Sequence, residues 1–211
     1  TGFITDDDRR EVDFEGTYKF WIKNKVFEYI NVRSNNNIFW SQKGVLRSWN
    51  TDNSIDFYFS NRISAWYNYN NEYKLYEKGF YNHSHKFTLG YNTEEWSHVM
   101  TGFSTGRNFD RDFSLYSGVF RVKPIKNMSL EYSTSYLRFV PDPDSSSTFI
   151  NVLTADYNFT NDLWIKLFAQ NSTSNERIYI YCLIGLRFKP PFGALYLIYS
   201  HDNYVLAESP V

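Results

Sequence analysis

The chain has 211 residues, of which 22 are Lys or Arg and 23 are Asp or Glu, giving a net charge of −1. Its mean hydropathy is −0.51, and 20% of the residues are aromatic: 18 Tyr, 19 Phe and 6 Trp. Near-neutrality without a basic run argues against nucleic-acid binding, which needs a concentrated Lys/Arg footprint. The absence of any stretch of about 18 apolar residues excludes a helical membrane span. The single cysteine, Cys182, excludes an internal disulfide.

Taken in chain order, dyad alternation predicts twelve strands, at 10–22, 26–37, 45–59, 62–73, 80–92, 95–105, 112–123, 128–140, 147–160, 163–171, 177–189 and 194–202. The alternation is sharpest in the last third. One face is read from Phe149, Leu153, Tyr157 and Phe159, then Leu163, Ile165 and Leu167, then Ile178, Ile180, Cys182, Ile184, Leu186 and Phe188. The opposite face takes Asp156, Lys166, Gln170, Arg187 and Lys189, and Glu131 of the preceding strand joins them. Glu11, Asp13, Glu15, Thr17, Lys19, Asp56, Lys86, Arg121 and Lys123 are assigned to that polar face as well.

Strands of about ten residues with one greasy face match an antiparallel transmembrane β-barrel, apolar toward lipid and polar toward the lumen. A soluble sandwich alternates too, on strands of about five or six residues. An aromatic-rich chain of low mean hydropathy fits the barrel, which spreads its rings over a lipid-facing band and two interfacial girdles. The fold expected is therefore all-β, an antiparallel transmembrane barrel segment over residues 1–211.

Connections after odd-numbered strands read as tight turns, for example Ser60-Asn61 and Thr93-Glu94, and those after even-numbered strands as longer loops, for example Gly106 to Arg111 and Pro141 to Ser146. That places the tight turns at the periplasmic side. Twelve strands then leave both ends on the outer side, whereas barrels of this class keep both termini in the periplasm, so N-terminal strands, any periplasmic domain and the last strand are expected beyond this segment.

Several residues resemble the C-terminal barrel of a Bacteroidota outer-membrane family of unknown function. They are Gly2-Phe3-Ile4 with Asp8-Arg9-Arg10, Phe20-Trp21-Ile22-Lys23-Asn24, Phe39-Trp40-Ser41-Gln42-Lys43-Gly44, Leu167-Phe168-Ala169-Gln170-Asn171, Leu186-Arg187-Phe188-Lys189-Pro190 and Leu195-Tyr196-Leu197-Ile198-Tyr199. The resemblance implies residence in the bacterial outer membrane and, upstream, a domain similar to family-9 carbohydrate-binding modules.

Catalytic chemistry finds little footing. His83 and His85 project on one face and offer two imidazoles to a metal, with no third ligand nearby in sequence. Asp6-Asp7-Asp8 and Asp142-Pro143-Asp144 read as solvated turns. No Gly-x-Ser-x-Gly elbow selects a nucleophile. No catalytic, metal or cofactor residue is assigned. The function expected is a non-enzymatic transport, scaffold or assembly subunit of the outer membrane; the alternatives are a barrel anchoring a glycan-binding or glycan-processing protein, and a secreted sandwich lectin. Expected partners are the lipid bilayer and lipopolysaccharide, with other outer-membrane complex subunits and glycans as further candidates.

Overall fold

A computed structural model describes residues 8–141, 147–173, 177–188 and 193–203. Its strands are β1 (Arg10–Trp21), β2 (Phe27–Trp40), β3 (Leu46–Phe59), β4 (Ile63–Leu75), β5 (Gly79–Tyr91), β6 (His98–Asn108), β7 (Arg111–Ile125), β8 (Met128–Val140), β9 (Thr148–Asn158), β10 (Leu163–Ser172), β11 (Arg177–Phe188) and β12 (Gly193–Asn203). All twelve predicted strands are present. They form one sheet in sequence order, so every strand pairs with its chain neighbour. Among the described residues, β1 and β12 each pair along one side, and the sheet is not closed.

The chain divides into two compact units. Among the described residues, one holds 8–89, 102–114 and 139–141; the other holds 90–101, 115–138, 147–173, 177–188 and 193–203. In the first, β1 to β4 pair antiparallel, with irregularities between Phe27 and Tyr29 and between Phe39 and Trp40 where β2 meets β3. In the second, β8 to β12 pair antiparallel with a single unbroken register from each strand to the next.

The connections do not sort as predicted. Those at 22–26, 60–62 and 92–97 follow odd strands, and those at 41–45, 76–78 and 109–110 follow even ones, so both sides hold short and long connections. Two local causes stand out. Phe109 and Asp110 both adopt left-handed backbone, φ 48° and 69°, which turns the predicted loop at 106–111 into the two-residue hairpin whose twist matches the strands. The Phe109 ring packs against Tyr76 and Phe80, 5.6 and 5.2 Å away, and the Asn82 side chain accepts from the Phe109 N–H at 2.8 Å. Conversely, the predicted tight turn at Thr93-Glu94 runs to residue 97. Asn92 takes a φ of 59°, its side chain donates to the Ser97 carbonyl at 2.6 Å, and the Glu95 N–H donates back to the Asn92 carbonyl. Turn length therefore does not assign a periplasmic side.

Burial is inverted relative to a soluble domain. Among the described residues the one buried apolar side chain is Tyr29, 6% exposed, whereas Ser41, Asp56, Ser64, Asn82, His98, Ser104 and Ser172 are buried. A soluble layer hides its greasy face against a second layer. Here Leu153, Ile184, Leu186, Leu195 and Leu197 stand exposed on the sheet.

Candidate functional site

Residues directly opposite each other in an antiparallel pair share a face, so the registers assign each predicted residue to a side. Leu163 faces Leu186, Ile165 faces Ile184 and Leu167 faces Cys182. Ile165 also faces Tyr157, and Ala169 faces Leu153. Ile178, Ile180 and Phe188 share the parity of Cys182. Phe149 pairs with Tyr136 on the same side as Leu153, and the Phe159 ring lies 4.7 Å from Tyr157. The thirteen residues read as one greasy face thus lie together.

The opposite face of this unit gathers Glu131, Asp156, Lys166, Gln170 and Arg187. Glu131 faces Thr154 and pairs with Arg121, Nε to Oε2 at 2.8 Å. Asp156 faces Lys166, with the ammonium 3.7 Å from Oδ1, beyond a direct hydrogen bond. Thr154, Asp156, Lys166, Phe168, Tyr179 and Tyr181 line an open groove of about 410 Å³. Ile150, Val152, Leu183 and Ile198 also belong to this face, so it is only partly polar. Trp164 lies opposite Gly185, where an added Cβ would sit 2.4 Å from the indole; the glycine makes room for the ring. Lys189 and Asp142-Pro143-Asp144 lie outside the described residues, as do Asp6 and Asp7.

The first unit carries a different polar face. Glu11, Asp13, Glu15, Thr17 and Lys19 share it with Asn37, Asn35, Arg33 and Asn31, and Asp56 pairs with Asn31 and Trp66. Amides and carboxylates alternate across strands. Asn37 donates to both Glu11 and Asp13; Asn68 donates to Asp52 Oδ1 at 2.7 Å. Asn70 donates to Asn50 at 2.7 Å and to Asp52 Oδ2 at 3.3 Å. Glu72 accepts from Lys74 and Asn82, each at 3.0 Å. Asn82 thereby places Lys86, of the same parity on β5, on this face.

Sequence reasoning missed Asn37, Asp52, Asn68, Asn70 and Glu72. The signal was present as strict dyad spacing: Asn31, Arg33, Asn35, Asn37; Asn50, Asp52, Ser54, Asp56; Asn68, Asn70, Glu72, Lys74. A reading centred on apolar alternation passes over strands whose other face mixes Tyr with Asn.

At one end of this face stands an aromatic row. Trp21, Tyr29 and Tyr58 follow one another at 5.2 and 4.2 Å between ring centres, and Trp66 donates to the Tyr58 hydroxyl at 3.2 Å. The Lys19 ammonium lies 4.0 Å from the Trp21 ring centre and 3.6 Å from that of Tyr29, a cation–π arrangement.

His83 and His85 sit on the apolar side. Tyr67 Oη and His85 Nδ1 are 2.9 Å apart, and the His85 ring lies 4.9 Å from Tyr69. His98 Nδ1 lies 2.9 Å from the Glu95 carbonyl, and His201 faces Ile180. Among the described residues no group of three His, Cys, Asp or Glu is placed to hold a metal ion. Outside the strands, the Lys78 ammonium beside Asp110 holds that carboxyl below its ordinary range, with Arg107 adding to the effect.

No family model, no curated protein and no solved structure matches this chain.

Proposed function

We propose that this chain is a segment of a transmembrane β-barrel of the bacterial outer membrane, acting as a non-enzymatic transport, scaffold or assembly subunit. The observation that carries the reading is the unpacked apolar face. Twelve antiparallel strands of 10 to 15 residues form one sheet, and Tyr29 is the one buried apolar side chain among the described residues. Apolar area left in water forfeits about 25 cal/mol per Å². In a soluble sandwich that face would be shut against a second sheet. Lipid covers it without one, and a β-structure crosses lipid by satisfying its backbone groups through closed strand pairing. Closing this sheet then requires partners for the open sides of β1 and β12. The resemblance to the Bacteroidota outer-membrane family belongs to the same proposal.

Heat-modifiability of the full-length protein in outer-membrane fractions tests it, followed by single-channel conductance of the purified barrel in a planar bilayer. A folded band that shifts on boiling, with stable conductance, makes the barrel an open pore; the same shift without conductance makes it a filled barrel with a scaffold role. A water-soluble protein with no shift overturns the reading.

A second reading, a barrel anchoring glycan-binding function, has one observation in its favour. The row Trp21–Tyr29–Tyr58–Trp66 lies on the polar face beside Asn31 and Asp56, a mixture of ring faces and hydrogen-bonding groups suited to a sugar. If no oligosaccharide shifts the Trp fluorescence of the barrel, that support is gone.

A further inference from the structure

Resting on the membrane-spanning reading, we propose that the hydrocarbon slab covers only part of the apolar face. In β2 to β4 and β8 to β10 it covers the half of each strand next to the connections that follow odd-numbered strands. Beyond a polar row at mid-strand, the same face presents Trp, Tyr and Arg to the anionic head-group layer of the lipid.

The rows follow from register in the first unit. Nearest those connections come Ile30, Phe57 and Ala65, then Val32, Ile55 and Tyr67. The next two rows are Ser34, Asn53 and Tyr69, then Asn36, Thr51 and Asn71. Past them lie Ile38, Trp49 and Tyr73, with Tyr81 5.0 Å from Tyr73, and finally Trp40 opposite Arg10. The second unit repeats the order independently. Tyr132, Leu153 and Ala169 form an apolar row, and Thr134, Asn151 and Asn171 the polar one. Tyr136 and Phe149 follow, with exposed Arg138 two residues beyond Tyr136 on the same side.

Two physical arguments place the boundary at the polar row. An Asn amide carries two donors and an acceptor, and hydrocarbon offers none of them a partner. Asn36 meets Ser34 at 2.9 Å, and Asn151 accepts from Tyr132 and Thr134, which leaves polar capacity on these amides that water or head groups serve. The residue types also change across the row. Ile, Val, Phe and Ala dominate on one side of it, whereas Trp and Tyr, which favour the membrane interface, dominate on the other, followed by arginines that complement lipid phosphates. In the second unit the levels of Phe159, Tyr157, Ala155 and Leu153 precede the polar row, and rows spaced about 5 Å apart along a tilted barrel put these four at about 20 Å, close to the usual apolar band of about 25 Å.

Single cysteines in the full-length Cys182→Ala protein, in membranes opened to both sides, decide the matter through labelling by a membrane-impermeant maleimide. Only variants that keep the heat-shifted folded band are compared. Asn53→Cys, Asn71→Cys and Asn151→Cys are expected to react about tenfold or more faster than Val32→Cys, Ile55→Cys and Leu153→Cys. Equal protection of both sets in a membrane-embedded protein overturns the boundary and leaves the membrane reading standing. Equal rapid labelling overturns it too, and if the protein is then found in the soluble fraction the membrane-spanning reading falls with it.

Discussion

The polar faces of the two units are built differently. In the first, Asn37, Asn50, Asp52, Asn68, Asn70 and Glu72 hydrogen-bond from strand to strand. In the second, ion pairs Arg121–Glu131 and Lys166–Asp156 share the face with Ile150, Val152, Phe168 and Leu183, and Leu183 lies directly opposite Lys166. The first is a polar face whose groups satisfy one another. The second is amphipathic, with apolar side chains that want cover and charges that hold their place. On the proposed barrel reading these faces line the lumen, which need not be uniformly polar; what it requires is that each polar group have a partner or water.

The largest test of this contrast compares the two faces of β11. Ile184→Arg, on the greasy side opposite Ile165 and Leu197, is expected to cost about 2–4 kcal/mol of folding stability in bilayers, measured by denaturant titration of the full-length protein. Leu183→Arg, one residue away on the other face, should cost clearly less. Equal costs would mean that the amphipathic wall is covered by packed protein.

Next comes packing within the second unit. Gly185→Ala drives a methyl to 2.4 Å from the Trp164 ring, and overpacking of this kind costs about 1–3 kcal/mol. A lower temperature for loss of the folded band, with a shift in Trp emission, is the expected result. An unchanged band would mean that the indole swings aside freely.

In the first unit, Asp52→Ala removes the acceptor shared by Asn68 and Asn70 and is expected to cost about 1–2 kcal/mol. Val152→Thr on the second unit's wall adds a hydroxyl where no ladder exists, and should change stability less. Denaturation midpoints of the two variants measured side by side give the ranking; a reversed order would break the distinction between a self-satisfied lining and an amphipathic one.

The smallest effect concerns the β6–β7 hairpin. Asp110 is held below its ordinary carboxyl pKa mainly by the hydrogen bond from Lys78. A depressed folded-state pKa means that the contact contributes above the unfolded value and is lost as pH falls through the folded one. Lys78→Ala should let the Asp110 titration move upward toward the ordinary value of 3.8, as followed by carboxyl NMR shifts. A titration that does not move would assign the effect to Arg107 instead.

Number, position and facing of the strands could be read from residue order alone, because the side-chain period of a strand is two and an unpacked sheet leaves that period undisturbed by tertiary contacts. The run from Ile178 to Phe188 is the clearest case: apolar residues at every second position predicted its face, and Leu163, Ile165 and Leu167 meet it in register. What residue order concealed was set by pairing. The amide–carboxylate lining exists because Asn68 falls diagonal to Asp52 on a neighbouring strand, which no single strand reveals. The two-residue hairpin at Phe109-Asp110 carries neither Gly nor Asn and holds its left-handed backbone through the Asn82 acceptor and the Tyr76 and Phe80 rings. The polar row across the apolar face is likewise a property of register, since Asn36, Thr51 and Asn71 become one level only when three strands are aligned. Alternation along a strand is local and so written in the chain; alignment between strands depends on contacts distant in sequence, and only the folded sheet decides it.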